Sequence, residues 1–276
     1  MPETYTHGHH ESVLRSHRWR TAANSAAYLL DRLEPGMDVL DVGCGPGTIT
    51  LDLARLVAPG QVVGIDRSAD VVAQAEALRR EVLAEGDEAA GRVTFTTGDV
   101  YALGYEPGSF EIVHVHQVLQ HLTDPVAALR SMANVLRPGG TLAARDGDYA
   151  LFGWYPADPR LDRWLEVYRA VCRRNGAEPD AGRYLLSWAR EAGFDDVVFS
   201  SSNWAYADPE TRAWWAGTWA ERVEKSDLAR QAVEYGLAST DELAEMAAAF
   251  RRWSEIEDST FIVPSGEILA RVSQGG

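Results

Sequence analysis

Three aspartates and one glycine-rich turn carry the chemistry that can be read first. Val39-Leu40-Asp41-Val42-Gly43-Cys44-Gly45-Pro46-Gly47 ends a short apolar run in glycines, which let a backbone approach a bound group closely. Asp66 closes a second apolar run, and Asp99 follows a third in Thr97-Gly98-Asp99. A carboxylate after a strand can accept hydrogen bonds from both hydroxyls of a ribose, and one a strand further on suits an adenine amine. No Lys-Ser/Thr pair follows the turn, which excludes a P-loop, and Thr48 stands where a dinucleotide fingerprint needs its third glycine. The set describes a nucleoside rather than a nucleotide. Each aspartate alone fits a helix cap or a solvated turn equally well, and their joint spacing favours a site.

His114, His116 and His121 flank the end of another apolar run, Phe110 to Val115. His114 and His116 share one side of a strand, so one can be a satisfied core histidine while His116 is the candidate base. His121 fits a packing or pocket-wall role. Asp146-Gly147-Asp148-Tyr149 follows a later run; a metal site there lacks further oxygen ligands, so a loop cap or an acceptor-binding acid is expected. His7, His9, His10 and His17 read as a polar tail, and Cys44 and Cys172 match no metal-ligand spacing. No metal is expected.

The elements that would position these residues alternate. Helices are expected over Ser16–Leu33, Thr48–Val57, Ala69–Ala84 and Pro125–Leu136, with strands at Asp38–Val42, Gln61–Asp66, Val93–Thr97, Phe110–Val115 and Thr141–Arg145. Leu161–Arg174, Ala181–Ala192, Pro209–Lys225 and Thr240–Trp253 read as helices, and Val197–Ser202 and Glu267–Val272 as late strands. The expectation is an α/β fold: a doubly wound, mostly parallel seven-stranded sheet with helices on both faces, and a mainly helical, Trp-rich insertion before the last strand. Its parts would be an N-terminal helical cap (1–34), a cofactor-binding core (35–202), a helical insertion covering the acceptor (203–260) and the last strand (261–276). Trp154, Trp204, Trp214, Trp215 and Trp219 suit either core or a flat apolar pocket. Tyr149 and Trp154 directly follow the fifth strand and are, with Asp146, the candidate acceptor-site residues.

The Asp41–Gly47 turn, Asp66, Gly98-Asp99, Phe110-Glu111-Ile112-Val113 running to His121-Leu122, and Leu136-Arg137-Pro138-Gly139-Gly140 stand in one order over residues 38–146. In this the chain resembles the class I S-adenosylmethionine-dependent methyltransferases, specifically the ubiquinone/menaquinone-biosynthesis (type 11) branch. Arg20-Thr21-Ala22 and Asn24-Ser25-Ala26 resemble the lead-in of some actinobacterial and fungal members. Glu111 replaces the Asp often found at the start of the fourth strand. The resemblance implies S-adenosylmethionine as cofactor. It implies that Asp41 and the Gly43-Cys44-Gly45 backbone hold the methionine amino end, and that Asp66 takes the ribose hydroxyls. Ile65 and Arg67 would flank the adenine, and Asp99 and the Val100 amide would read it. His116, Gln117 and His121 would lie beside the methionine part and the methyl.

The net charge of −15 argues against nucleic acid as substrate. No stretch approaches the roughly 20 apolar residues of a membrane span, Met1–Arg20 lacks the apolar centre of a secretory signal, and a cytoplasmic address follows. The expected function is methyl transfer to O, N or C of a small-molecule acceptor. Alternatives are a cofactor-binding regulator without turnover and, against the evidence of Thr48, a nicotinamide oxidoreductase. The acceptor and the oligomeric state are not written in the sequence.

Overall fold

The computed structural model describes residues 19–271. The four N-terminal histidines, Val272 and the start of the expected first helix lie outside the described residues. Within them that helix is two single turns, α1 (Ala22–Ser25) and α2 (Ala27–Leu30). The break has a local cause. Thr21 and Asn24 form a reciprocal capping box, which starts a helix afresh, and the backbone leaves helical geometry at Ala26 (φ −134°).

Five parallel strands, β1 (Val39–Val42), β2 (Val62–Asp66), β3 (Val93–Thr97), β4 (Phe110–His116) and β5 (Leu136–Gly147), lie in the order β3-β2-β1-β4-β5. Three later strands complete the sheet: β6 (Gly153–Tyr155), β7 (Asp196–Tyr206) and β8 (Thr260–Arg271). Along one edge β8 runs antiparallel to β5 and then to β6, and along the other antiparallel to β7. β6 is an eighth strand beyond the expected seven, and its three residues are too few to show an alternating pattern. β7 and β8 outrun the expected strands because each pairs with the other as far as Tyr206 and Phe261.

The helices that follow the strands are α3 (Thr48–Val57), α4 (Ala69–Ala84), α5 (Pro125–Val135), α6 (Pro159–Arg174) and α7 (Leu185–Ala192). The expected start of α7 at Ala181 is a 3₁₀ turn instead. Val113, Val115 and Leu142 bury one sheet face against α5 and α7, while Val39, Ile112 and Ala143 bury the other against α2 and α3. Between β7 and β8 come α8 (Pro209–Lys225), α9 (Asp227–Glu234), which had no counterpart in the expectation, and α10 (Thr240–Glu255). Together with α6 these enclose an aromatic core in which Trp164 meets Trp219 at 4.5 Å and Phe250 at 4.9 Å between ring centres.

The face under α2 and α3 also holds a row of polar groups, laid out by ladder register. Asp41 stands beside His114, His116 beside Arg145, Arg145 beside Glu267, and Glu267 beside Ser200. Arg145 and Glu267 are both buried and paired at 3.1 Å, and Ser200 and Ser202 also donate to Glu267. Removing one charge of a buried pair strands the other, so Glu267→Gln should cost about 3–5 kcal/mol. Replacing both, Arg145→Met with Glu267→Leu, should cost less than that single change. Urea unfolding of the two variants checks this ordering.

Candidate active site

The carboxyl edge of β1, β2 and β4 is where an open parallel sheet holds its ligands. Asp41, in the middle of that edge, is turned inward. One oxygen accepts from the Thr50 hydroxyl of α3 (2.5 Å) and the other meets His114 Nδ1 of β4 (2.7 Å), all three side chains being buried. Each oxygen thus already has one protein partner beside the expected contact with a methionine amino group. Asp41 also fixes the turn that follows. Gly43 there has φ +71°, and a Cβ on it would lie 2.3 Å from Val118 Cγ2, so the glycine is needed to let the turn pass the β4 loop. Gly45, at φ +55°, donates its N–H to Asp66 Oδ2 (3.2 Å). Cys44 packs inward, and burial together with Asp41 raises its thiol pKa well above the ordinary value.

Asp66 sits half-buried at the end of β2 and also accepts from Ser68 N (3.0 Å), with exposed Arg67 beside it. Asp99, beyond β3, is exposed and caps its own turn through Tyr101 N (2.9 Å); Val100 is half-buried next to it. The turn and both carboxylates thus lie along three neighbouring strand ends. This fits a nucleoside with an amino-acid tail: left-handed glycines leave the backbone bare beside two carboxylates.

At the end of β4 the chain bends sharply. Gln117 has φ +53°, a strained conformation for a residue with a side chain. It is held by its N–H to Arg145 O (2.7 Å) and by Arg20 Nη2 on its amide oxygen (2.7 Å). His116, the candidate base, is buried on the sheet face, stacked over His114 and 5.8 Å from the Trp204 ring. It does not line the pocket described below, so the structure does not place it against an acceptor. His121 is pushed down to about 3 by burial, Arg20 and Arg222, and stays neutral. Asp146 is fully buried rather than displayed: one oxygen accepts from Gln120 N (3.2 Å), and burial pushes its pKa up to about 8. Asp148 turns elsewhere, to a two-bond pair with Arg183 (2.7 Å each). The two acids therefore do not converge on one point.

Beside Gln117 opens a pocket of about 380 Å³, counting the space continuous with solvent at its mouth. Trp19 and Arg20 enter it from the N-terminal segment, Tyr149 and Phe152 from the turn after β5, and Trp204 and Tyr206 from the end of β7. Trp214, Trp215, Trp219 and Arg222 of α8 and Val263 of β8 close it. Tyr149 stacks on Phe152 and Tyr168, and burial pushes its hydroxyl up to about 12. Trp154, the other expected wall residue, is not there. It packs on Phe261 and Trp164 (5.4 and 6.3 Å), because β6 carries it along β8 and away from the sheet's carboxyl edge.

A family model described as a methyltransferase domain matches residues 33–193. The chain belongs to the methyltransferase domain family. An uncharacterized methyltransferase of Schizosaccharomyces pombe is 34% identical over 269 residues, covering 96% of this chain and 95% of its own. The Aspergillus luteorubrus protein named "Probable methyltransferase ltbC" is 31% identical over 278 residues and 96% of each chain. Among solved structures, the YcgJ protein of Bacillus subtilis superposes with a TM-score of 0.58 at 17% identity, covering 90% of this chain and 98% of its own. The chain is accordingly a class I methyltransferase that uses S-adenosylmethionine.

In this methyltransferase the expected residues fall into two neighbouring groups, the turn with Asp66 and Asp99, and the pocket with Gln117 and Tyr149. Arg222 was missed, although Trp215, Trp219 and Arg222 stand at i, i+4 and i+7 on one face of α8. Glu111, the departure from the usual Asp, accepts from Asp38 N (2.8 Å) and pairs with Arg137.

Two outcomes follow from these contacts. Gly43→Ala should lower stability by about 1–3 kcal/mol through the Val118 collision and the left-handed φ. Adding Val118→Ala should restore the steric part, which thermal melts of the single and double variants will show. Asp146 titrates from its unfolded value up to about 8 in the folded enzyme, so folding takes up a proton and stability from this group is lost as pH rises through 8. Asp146→Asn cannot ionise and should gain melting temperature over the parent more at about pH 8.5 than at about pH 5, the two lying near opposite ends of the linkage window.

Proposed function

We propose that this methyltransferase transfers its methyl group to an O, N or C atom of a small-molecule acceptor held in the aromatic pocket. The observation that carries this is Gln117, which belongs both to the strand-end row beside the glycine turn and to the pocket wall. When bound, S-adenosylmethionine supplies a methyl on positive sulfur, which passes to an acceptor lone pair as the carbon–sulfur bond breaks and its electrons stay with sulfur.

The chain's part is to bind, align and keep water out. Asp66 would accept from the ribose hydroxyls, with Ile65 and Arg67 beside the adenine and Asp99 and the Val100 amide reading its edge. The turn backbone and Gln117 would hold the methionine part, with His121 as a neutral wall. Tyr149 and the α8 tryptophans would sandwich the acceptor, making residues 203–260 its cover and the N-terminal segment its cap. Tyr149 keeps its proton and His121 does not take one up near neutral pH. The pocket therefore favours acceptors that need no proton removed by the protein. Two buried free thiols and the acidic charge support a cytoplasmic enzyme that acts on neither nucleic acid nor membrane. No helix among the described residues is long and apolar enough to cross a membrane.

Release of S-adenosylhomocysteine across phenols, amines, quinones and heterocycles tests the reading. At least one class should turn over, and binding without any release would identify a cofactor-binding protein instead. Asp66→Ala should weaken S-adenosylmethionine by about 1.5–3 kcal/mol in calorimetry, the range for a hydrogen bond to a charged group. Unchanged affinity in a folded variant removes Asp66 from the site.

A further inference from the structure

The charge in the pocket runs against the charge of the chain. The protein carries a net −15, yet the described residues that line the pocket include two arginines, Arg20 and Arg222, and no carboxylate. Both guanidiniums lie over ring faces, Arg20 at 5.5 Å from Trp204 and Arg222 at 5.1 Å from Trp219. Stacking engages the face of a guanidinium, and a carboxylate or phenolate binds its edge, so a wall of this kind can do both. A third guanidinium lies below, its charge paired with Glu267: Arg145 is fully buried 4.5 Å from the Trp204 ring, and two of its nitrogens have no hydrogen-bond partner among the described residues.

The field this creates is felt by every titratable group around the space, whatever other bonds the arginines make. Burial lowers the His121 pKa and raises those of Tyr149 and Tyr206; on all three Arg20 and Arg222 act in the downward direction, adding to burial at His121 and opposing it at the two tyrosines. Asp146, the acid nearest the strand end, is kept protonated near neutral pH and offsets little of it. In a pocket walled by tryptophan, such a field penalises a cationic guest and offsets part of the cost of burying an anion.

We propose that the acceptor is a flat aromatic compound bearing an anionic oxygen group, seated between the tryptophans with that group against Arg222 and Arg20. This rests on the pocket being the acceptor site. It also excludes protonated amines, which an aromatic box without arginines would welcome through cation–π contact. The aromatic part supplies the area, and the anion sets the orientation that turns the reacting atom toward Gln117 and the cofactor.

The test uses the full chain saturated with S-adenosylhomocysteine and calorimetric titration of three probes: 3-hydroxy-2-naphthoate, its neutral carboxamide and its aminomethyl analogue. The acid should bind about tenfold or more tighter than the amide, the scale of one charged hydrogen bond, and the amine weakest. Rising salt should weaken the acid and leave the amide unchanged. Arg222→Met should erase the preference for the acid while leaving S-adenosylhomocysteine affinity intact, and Arg222→Lys should keep much of it. Should Arg222→Met fail to fold, the salt series and the lysine variant decide alone. Equal binding of acid and amide, or tightest binding of the amine, overturns the proposal. So does failure of all three rings to bind while S-adenosylhomocysteine does, and that result leaves the methyltransferase reading standing. Failure of S-adenosylhomocysteine itself to bind would strike that reading instead.

Discussion

One buried carboxylate organises the site. Asp41 lies on the central strand and is shared between the Thr50 hydroxyl and the His114 ring, so β1, β4 and α3 are tied at a single point. The glycine turn leaves β1 immediately after that point and enters α3, and it has no freedom to drift from β4. Its closeness to Val118 makes a side chain at position 43 costly. The bend at Gln117 then follows on the other side of the same contact. A buried carboxyl group of this kind is costly unless both oxygens have partners, and here both do.

The same logic extends across the sheet. The row from Asp41 through His114, His116 and Arg145 to Glu267 places polar groups where the ordinary expectation is Val or Ile. His116 and Arg145 of this row lie against Trp204, whose indole N–H is anchored to Asn24 O (2.7 Å) in the N-terminal turns. The row therefore links the cofactor edge to the roof of the pocket. At the pocket end the lining carries Arg20 and Arg222, while the acids of the row are engaged by Thr50, His114, Arg145 and the β7 serines. An acidic protein can in this way present a cationic chamber to a small guest, because short-range fields in a closed site outweigh the distant surface charge.

Much of this was legible in the residue order. The alternation of strands and helices appeared as apolar runs and helical spacing with Pro and Gly punctuation, and α8 was readable from Pro209 to Lys225 because Asp208 and Pro209 mark its start. The glycine turn and the acids after β2 and β3 were legible because each depends on a few adjacent residues. β6 and α9 were not, since three residues show no period and α9 follows α8 with only Ser226 between them. The burial of Asp146 and His116 was not legible, because position at a strand end says which end of the sheet a residue occupies, not how its side chain is covered.

Local pattern alone determined the fold class, the place of the cofactor edge and the residue types along it, because a strand, a turn and a carboxylate after it are written in consecutive positions. The pocket was decided only by tertiary structure. Arg20 reaches Gln117 across 97 positions and Trp204 reaches Asn24 across 180, and neither meeting leaves a trace in the sequence near either partner. Trp154 and Trp204 are the same residue type, each on a strand that pairs with β8, yet one packs along β8 and the other roofs the pocket. The difference is set by which neighbour each strand pairs with, and pairing is a property of the assembled sheet.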